Sequence, residues 1–321
     1  MKITLSSVLK IAFVFSTGFF SSAALHAEST FAVVGDVPYG DKALAQFPLL
    51  VRSIEDAAPD FLIHLGDIKA GSAPCTDEML SSRIQAIDDI QLPVIFIPGD
   101  NDWTDCHRRR AGRYSPLERL EFLRRIAYPE VGQSLGTKSI TLESQAAQQS
   151  WSDFPEHQFW KNGSTSFVAL HVLGSDNGFS GFKSRGDADD AEVIRRIGAS
   201  ISWLEDAFAK AKDSEALVVA VHGNPFGMSP RRAKKYPVGP YAGFLETLRR
   251  GAALFAKPVL LIHGDTHDYK FDQPMKTPDG ETVPNIYRLE GIGSPDIGSV
   301  EVSIQVDSST PFEVRPIFIS R

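Results

Sequence analysis

Cysteine is almost absent from the chain: Cys75 and Cys106 are the only two in 321 residues. A small scaffold held together by many disulfides is therefore excluded. Basic residues are also in deficit, with 33 Lys and Arg against 40 Asp and Glu and a formal net charge of −7. That balance argues against a nucleic-acid or other general polyanion-binding surface, so any affinity for phosphate must be local. No solenoid-period repeat, low-complexity tract or linker interrupts the chain, and one domain over 28–321 is expected after a leader. The longest apolar run, at 11–20, is about half of the roughly 20 residues that a membrane-spanning helix needs.

That run sits between Lys2 and Lys10 on one side and the small residues Ser22, Ala23, Ala24 and Ala27 on the other. This is the pattern of a secretory leader over 1–27 cut after Ala27. The mature protein is expected to be periplasmic or secreted, with no membrane span once the leader is removed. In an oxidising compartment the two cysteines are expected to pair, because both lie in loops that follow successive strands.

Four apolar runs end in glycine and aspartate: Phe31 to Gly35-Asp36, Phe61 to Gly66-Asp67, Val94 to Gly99-Asp100, and Val259 to Gly264-Asp265. Runs of β-branched and large apolar residues stopped by glycine read as buried parallel strands that deliver carboxylates from their C-terminal ends. Between them, helical spacing is visible over 42–58 (Leu44, Phe47, Leu50, Val51, Ile54) and over 78–90 (Met79, Leu80, Ile84, Ile87, Ile90). The β-α-β alternation predicts a parallel sheet with right-handed crossovers. A helix is expected over 116–127, opened by Pro116, and the rest of 103–160 reads as a surface insertion. Further on, a strand at 167–172, a helix over 191–212, a strand at 217–221, a helix over 242–255 and a strand at 259–263 are expected. The alternation of Val300, Val302 and Ile304, followed by Val314, Ile317 and Ile319, predicts an antiparallel hairpin with one buried face.

Strand ends in an open α/β sheet line the ligand crevice. Collected there are Asp36, Asp67, Asp100 with Asn101, His222, His263, Asp265 and His267. Carboxylates this dense repel one another unless cations neutralise them, and mixed oxygen and imidazole donors suit Mn, Fe, Zn or Mg. A two-metal site is the economical arrangement, in which one carboxylate bridges two ions. His64 and His263 lie inside strands; His64 reads as a hydrogen-bonded core residue, and His263 equally well as a core residue or as a support for the site.

In order and spacing, Gly35-Asp36-Val37-Pro38-Tyr39, Gly66-Asp67-Ile68-Lys69, Gly99-Asp100-Asn101-Asp102, Val221-His222-Gly223-Asn224 and Gly264-Asp265-Thr266-His267 resemble the motifs of calcineurin-like metallophosphoesterases. The resemblance implies an α/β fold of four layers, an α/β/β/α sandwich with its metal site at the C-terminal strand ends. It implies two divalent ions, with Asp67 as bridge, Asp36 and His267 on the first, and Asp100, His222 and Asp265 on the second. It implies hydrolysis of a small anionic phosphate ester, mono- or diester, by a metal-bound hydroxide.

Three positions depart from the family pattern. Pro38 replaces a histidine ligand, Asp265 replaces the first histidine of the last motif, and Asn101 stands where a catalytic histidine is expected. A shift of one in the third motif would instead make Asn101 the ligand. Exchanging imidazoles for carboxylates hardens the site and puts Mn or Fe ahead of Zn or Mg. Tyr39 could supply the missing ligand or simply pack in its loop. His107 could replace the lost acid or be a surface residue in the basic run. That run, Arg108, Arg109 and Arg110, with a second one at Arg231, Arg232, Lys234 and Lys235, is expected to clamp the substrate. The alternative from another class is a metal-stabilised binding module that kept the fold and lost catalysis. Oligomeric state has no signature in the sequence.

Overall fold

Residues 31–34 can serve a buried strand only if both of its faces are covered, since Phe31, Ala32, Val33 and Val34 leave no polar side. The computed structural model, which describes residues 29–227, 239–306 and 308–319, shows how this is met. β1 (Ser29–Val34), β2 (Phe61–His64) and β3 (Val94–Phe96) run parallel, with Val33 opposite Ile63 and Ile63 opposite Ile95. Beside β1 lie two strands of an antiparallel hairpin from the other end of the chain, so the sheet has five strands.

A second sheet holds β4 (Glu143–Ser144), β5 (Gln158–Asn162), β6 (Thr165–Ala169), β7 (Ala216–Ala220), β8 (Val259–His263), β9 (Lys270–Asp272) and β10 (Ile286–Glu290), in the order β4-β5-β6-β7-β8-β10-β9. β6, β7, β8 and β10 are parallel; β4, β5 and β9 run against their neighbours. β11 (Gly298–Ile304) and β12 (Phe312–Phe318) complete the first sheet, β11 pairing antiparallel with β1.

The period of two decides the layers. Phe31, Val33, Phe61, Ile63 and Ile95 point one way and meet Phe167, Val218, Ala220, Leu260 and Ile262 of the other sheet. Phe61 stacks on Phe31 at 5.4 Å and meets Phe167 edge-on at 5.1 Å. Ala32, Val34, Leu62 and Phe96 point outward under α1 (Gly40–Ala57), α2 (Asp77–Asp88) and α3 (Pro116–Ala127). Leu217, Val219, Val259 and Leu261 point outward on the far side under α4 (Asp187–Lys210) and α5 (Ala242–Phe255). Burying each Leu, Ile or Phe contributes roughly 1.5–3 kcal/mol, so these three apolar layers hold the sandwich closed. The result is the four-layer α/β/β/α arrangement.

Two expectations need correction. The strand-Gly-Asp units do not share one parallel sheet: three belong to the first sheet and the fourth to the second. Each sheet carries helices on one face only, and the other face is apolar enough that only a second sheet can cover it. Nor is 103–160 merely a surface insertion, since β5 lies at its end and pairs with β6, Trp160 opposite Phe167. The leader at 1–27 and the basic run Arg231, Arg232, Lys234 and Lys235 lie outside the described residues.

Candidate metal centre

At the strand ends the chain turns sharply, and three of the four Gly-Asp turns do so the same way. Gly35, Gly66 and Gly264 are followed by aspartates with positive φ, 54° at Asp36, 53° at Asp67 and 71° at Asp265, and His267 follows at 59°. The left-handed region costs most side chains about 1–2 kcal/mol, while aspartate tolerates it through local hydrogen bonding. The glycines matter for space: a Cβ on Gly264 would lie 2.5 Å from Asp36 Oδ2, and one on Gly174 would lie 2.5 Å from Asp265 Oδ1 and 2.9 Å from Asp100 Oδ1.

The turns bring the two sheets' residues together into two overlapping groups. Donor atoms of Asp36, Asp67 and His222 lie within 4.8 Å of one another, as do those of Asp100, His222 and Asp265. His222 Nε2 is 3.1 Å from Asp100 Oδ1 and 3.5 Å from Asp67 Oδ1, and His267 Nε2 is 3.1 Å from Asp36 Oδ1. All six expected ligands thus converge at one edge of the sandwich. His222 belongs to both groups, and Asp67, the bridge that the resemblance implies, belongs to the first.

Both histidines present the right nitrogen. His222 Nδ1 donates to Leu65 O at 2.7 Å and His267 Nδ1 to Ser294 O at 2.6 Å. In the neutral ring that leaves Nε2 as a bare lone pair aimed at carboxylates, an arrangement that requires a cation or a proton between them. The protons show the same tension. Burial lowers the pKa of His222, but Asp67, Asp100 and Asp36 outweigh it and hold the ring well above its usual value. For His267 the Asp36 hydrogen bond likewise overcomes burial and raises the ring. Asp67 is pushed well above the carboxylate range by burial first, with Asp100, Asp102 and Asp36 adding to it against His222. Asp265 rises to about 7, from burial and then from Asp100. At Asp100 burial is outweighed by the His222 hydrogen bond and charge and by Ser175, and the carboxyl stays below its usual range. This donor set, oxygen-rich with two oriented imidazoles, fits divalent cations.

Asp100 faces His222, while the Asn101 amide donates to Asp67 Oδ2 and, at 3.0 Å, to Tyr39 Oη. Asp102 is fully buried and accepts the backbone N–H of Asp67 at 2.9 Å, Ile68 at 2.9 Å and Gly99 at 2.8 Å. It ties the second loop to the third. Tyr39 Oη donates to Asp67 Oδ2 at 2.8 Å, so it touches the site and does not merely pack in its loop.

Other candidates lie apart. His107 stacks on Phe182 at 4.4 Å with Nδ1 donating to Thr104 O at 2.7 Å, and no hydrogen bond among the described residues joins it to the six converging side chains. Arg109 and Arg110 are exposed; Arg108 pairs with the buried Asp105. His64 is buried, its Nδ1 accepting from Gly66 N at 3.1 Å, and burial lowers its pKa to about 4. His263 is buried too, Nδ1 donating to Gly264 O.

Two contributors escape a motif search. Ser175 Oγ donates to Asp100 Oδ2 at 2.5 Å and lies 3.1 Å from Asp105 Oδ1. It sits in a single turn, Gly174–Asn177, where Ser175, Asp176 and Asn177 all have positive φ. The buried Arg196 holds this turn through Asn177 O at 3.0 Å and Asn177 Oδ1 at 2.8 Å. The signal was present, since Leu173-Gly174-Ser175-Asp176 follows a strand as the Gly-Asp units do. Asp105 rises to about 8, by burial first and Asp100 second.

Cys75 and Cys106 form a disulfide with Cα atoms 5.7 Å apart, joining the loops that carry Asp67 and Asp100. A family model described as calcineurin-like phosphoesterase matches residues 29–269. No curated protein matches the chain.

Proposed function

The chain belongs to the calcineurin-like phosphoesterase family, and from that premise we propose that it is an exported, dinuclear metal-dependent hydrolase of small phosphate esters. The observation that carries the reading is the convergence of four aspartates and two Nε2-presenting histidines from two sheets. Asp36 and His267 would hold one ion, Asp100, His222 and Asp265 the other, and Asp67 would stand between. Mn or Fe would suit this carboxylate-rich set better than Zn or Mg. When bound, the ions supply Lewis acidity and an activated water.

The chain's own residues do the rest. Asp102 and the disulfide hold the two metal loops in register, and Ser175 fixes one oxygen of Asp100. Asn101 cannot donate a proton as an imidazolium can, and its amide is already engaged by Asp67 and Tyr39. Leaving groups that depart without protonation are therefore the better substrates. General acid assistance is worth about 10²–10⁴-fold, so aryl phosphates should outrun alkyl phosphates by a factor of that order.

Export is supported by the disulfide, which suits an oxidising compartment, and by the leader expected at 1–27. No helix among the described residues is long and apolar enough to cross a membrane. Hydrolysis of an aryl phosphate with added Mn²⁺, abolished by chelator, is the expected result. Uptake of metal without turnover of any ester would favour the second reading, a binding module, to which the exchange of an imidazole for Asn101 lends weight.

A further inference from the structure

Arg108 is set apart from its neighbours in the basic run by what holds it. One side of its guanidinium pairs with the carboxylate of Asp105. Asp105 is itself fixed by Ser175 Oγ, which also donates to Asp100. On the other side Arg108 Nη1 crowds against Gly71 together with Asn101 Oδ1: a Cβ on Gly71 would collide with both atoms. Asn101 in turn donates to Asp67. Arg108 is thus linked to Asp100 through Asp105 and Ser175 and lies beside Asn101, which donates to Asp67, and yet 47% of its side chain is exposed. An exposed arginine held by a buried acid, in space that the absent side chain of Gly71 leaves open, is a preorganised fork, which loses little freedom when it takes up an anion.

The ion pair uses Nη2, and a guanidinium has five N–H donors in a planar fork matched to two oxygens of one phosphoryl group. A phosphomonoester offers three terminal oxygens and approaches a dianion at neutral pH, its second pKa being near 6. A diester offers two terminal oxygens and a single charge, and must turn an alkylated oxygen toward the site. We infer that Arg108 recognises the phosphoryl dianion and that the substrate is a phosphomonoester and not a diester. This rests on the phosphoesterase reading and deepens it.

The test uses the full-length protein loaded with Mn²⁺. Calorimetric binding of inorganic phosphate and of dimethyl phosphate is compared in the wild type, Arg108→Met, Arg108→Lys and Gly71→Ala, with metal content measured in each. The wild type should bind phosphate well ahead of dimethyl phosphate. Arg108→Met should weaken phosphate about 10- to 100-fold, as expected for loss of a charge-assisted pair, and barely affect dimethyl phosphate, with metal content unchanged. Arg108→Lys should recover part of the loss, and Gly71→Ala, whose Cβ would press on both Asn101 Oδ1 and Arg108 Nη1, should weaken phosphate with the arginine still present. Equal phosphate binding in the wild type and Arg108→Met, or a wild type that prefers dimethyl phosphate, would overturn the assignment. Binding decides the role of Arg108 even if no ester is hydrolysed, whereas absence of turnover of both an aryl monoester and an aryl diester counts against the phosphoesterase reading itself.

Discussion

At Asp265 the carboxyl is raised to about 7 by burial and by Asp100. Its folded value lies above the unfolded one of about 3.9, so its contribution is fully present only below about 3.9 and is lost progressively as pH rises to about 7. Asp265→Asn cannot ionise. In chelator-treated protein the advantage of this variant over the wild type should be larger at pH 8 than at pH 5, which thermal denaturation at the two pH values measures; with metal restored, the same variant should lose ion content. Burial raises Asp102 as well, yet its role is structural. Its carboxylate satisfies three buried backbone donors, and an unsatisfied buried donor costs about 1–3 kcal/mol. Asp102→Ala should therefore destabilise by at least about 3 kcal/mol in urea, while Asp100→Asn should cost metal and little stability. Similar losses of stability in the two would mean that Asp102 does not pin the loops.

At the scale of elements, the loop bearing Asp100 is held from several sides. The disulfide ties it to the loop after β2. Trp103 Nε1 donates to His171 Nε2 at 3.2 Å, His171 Nδ1 donates to Glu156 Oε1 at 2.7 Å, and Glu156 pairs with Arg124 of α3. Closing a loop of about 30 residues is worth roughly 3–4 kcal/mol in the chain-entropy model. The double variant Cys75→Ser, Cys106→Ser should lose about that much in denaturant titration and bind metal more weakly; unchanged metal affinity would separate the disulfide from the site. The Gly-Asp loops were legible in the sequence because their determinants are local, a doubly buried strand followed by residues that tolerate positive φ. β5 was not, since Phe159-Trp160 is a short apolar pair cut off by Lys161, and its strand character comes from pairing with β6. β10 escaped for a similar reason, its Arg288 and Glu290 breaking the apolar run. Ser175 was hidden because its role depends on a turn held by Arg196, far along the chain.

Across the described residues, burial lowers the pKa of four histidines, His171 among them. Burial pulls His64 down to about 4, His157 to about 3 and His263 to about 3. His157 is representative: its ring stacks on Phe154, Nδ1 meets Gln145 Oε1 at 2.5 Å, and Nε2 lies 3.3 Å from Ser200 Oγ. The unfolded chain takes up a proton near pH 6.5 while the native site refuses it, so stability rises with pH across the window from about 3 to 6.5 and is lost on acidification. By pH 5 each such histidine costs about 2 kcal/mol, a large share of a typical folding margin of about 5–15 kcal/mol. Acid also protonates the metal ligands and releases the ions, so loaded protein has two separable reasons to fail. Removing metal beforehand isolates the first. In chelator-treated protein, His157→Gln should flatten the fall in stability between pH 6.5 and pH 5 by about 2 kcal/mol relative to the wild type, whatever its effect at pH 7. If both proteins lose stability in parallel over that window, His157 is protonated in the folded state and burial does not hold it neutral.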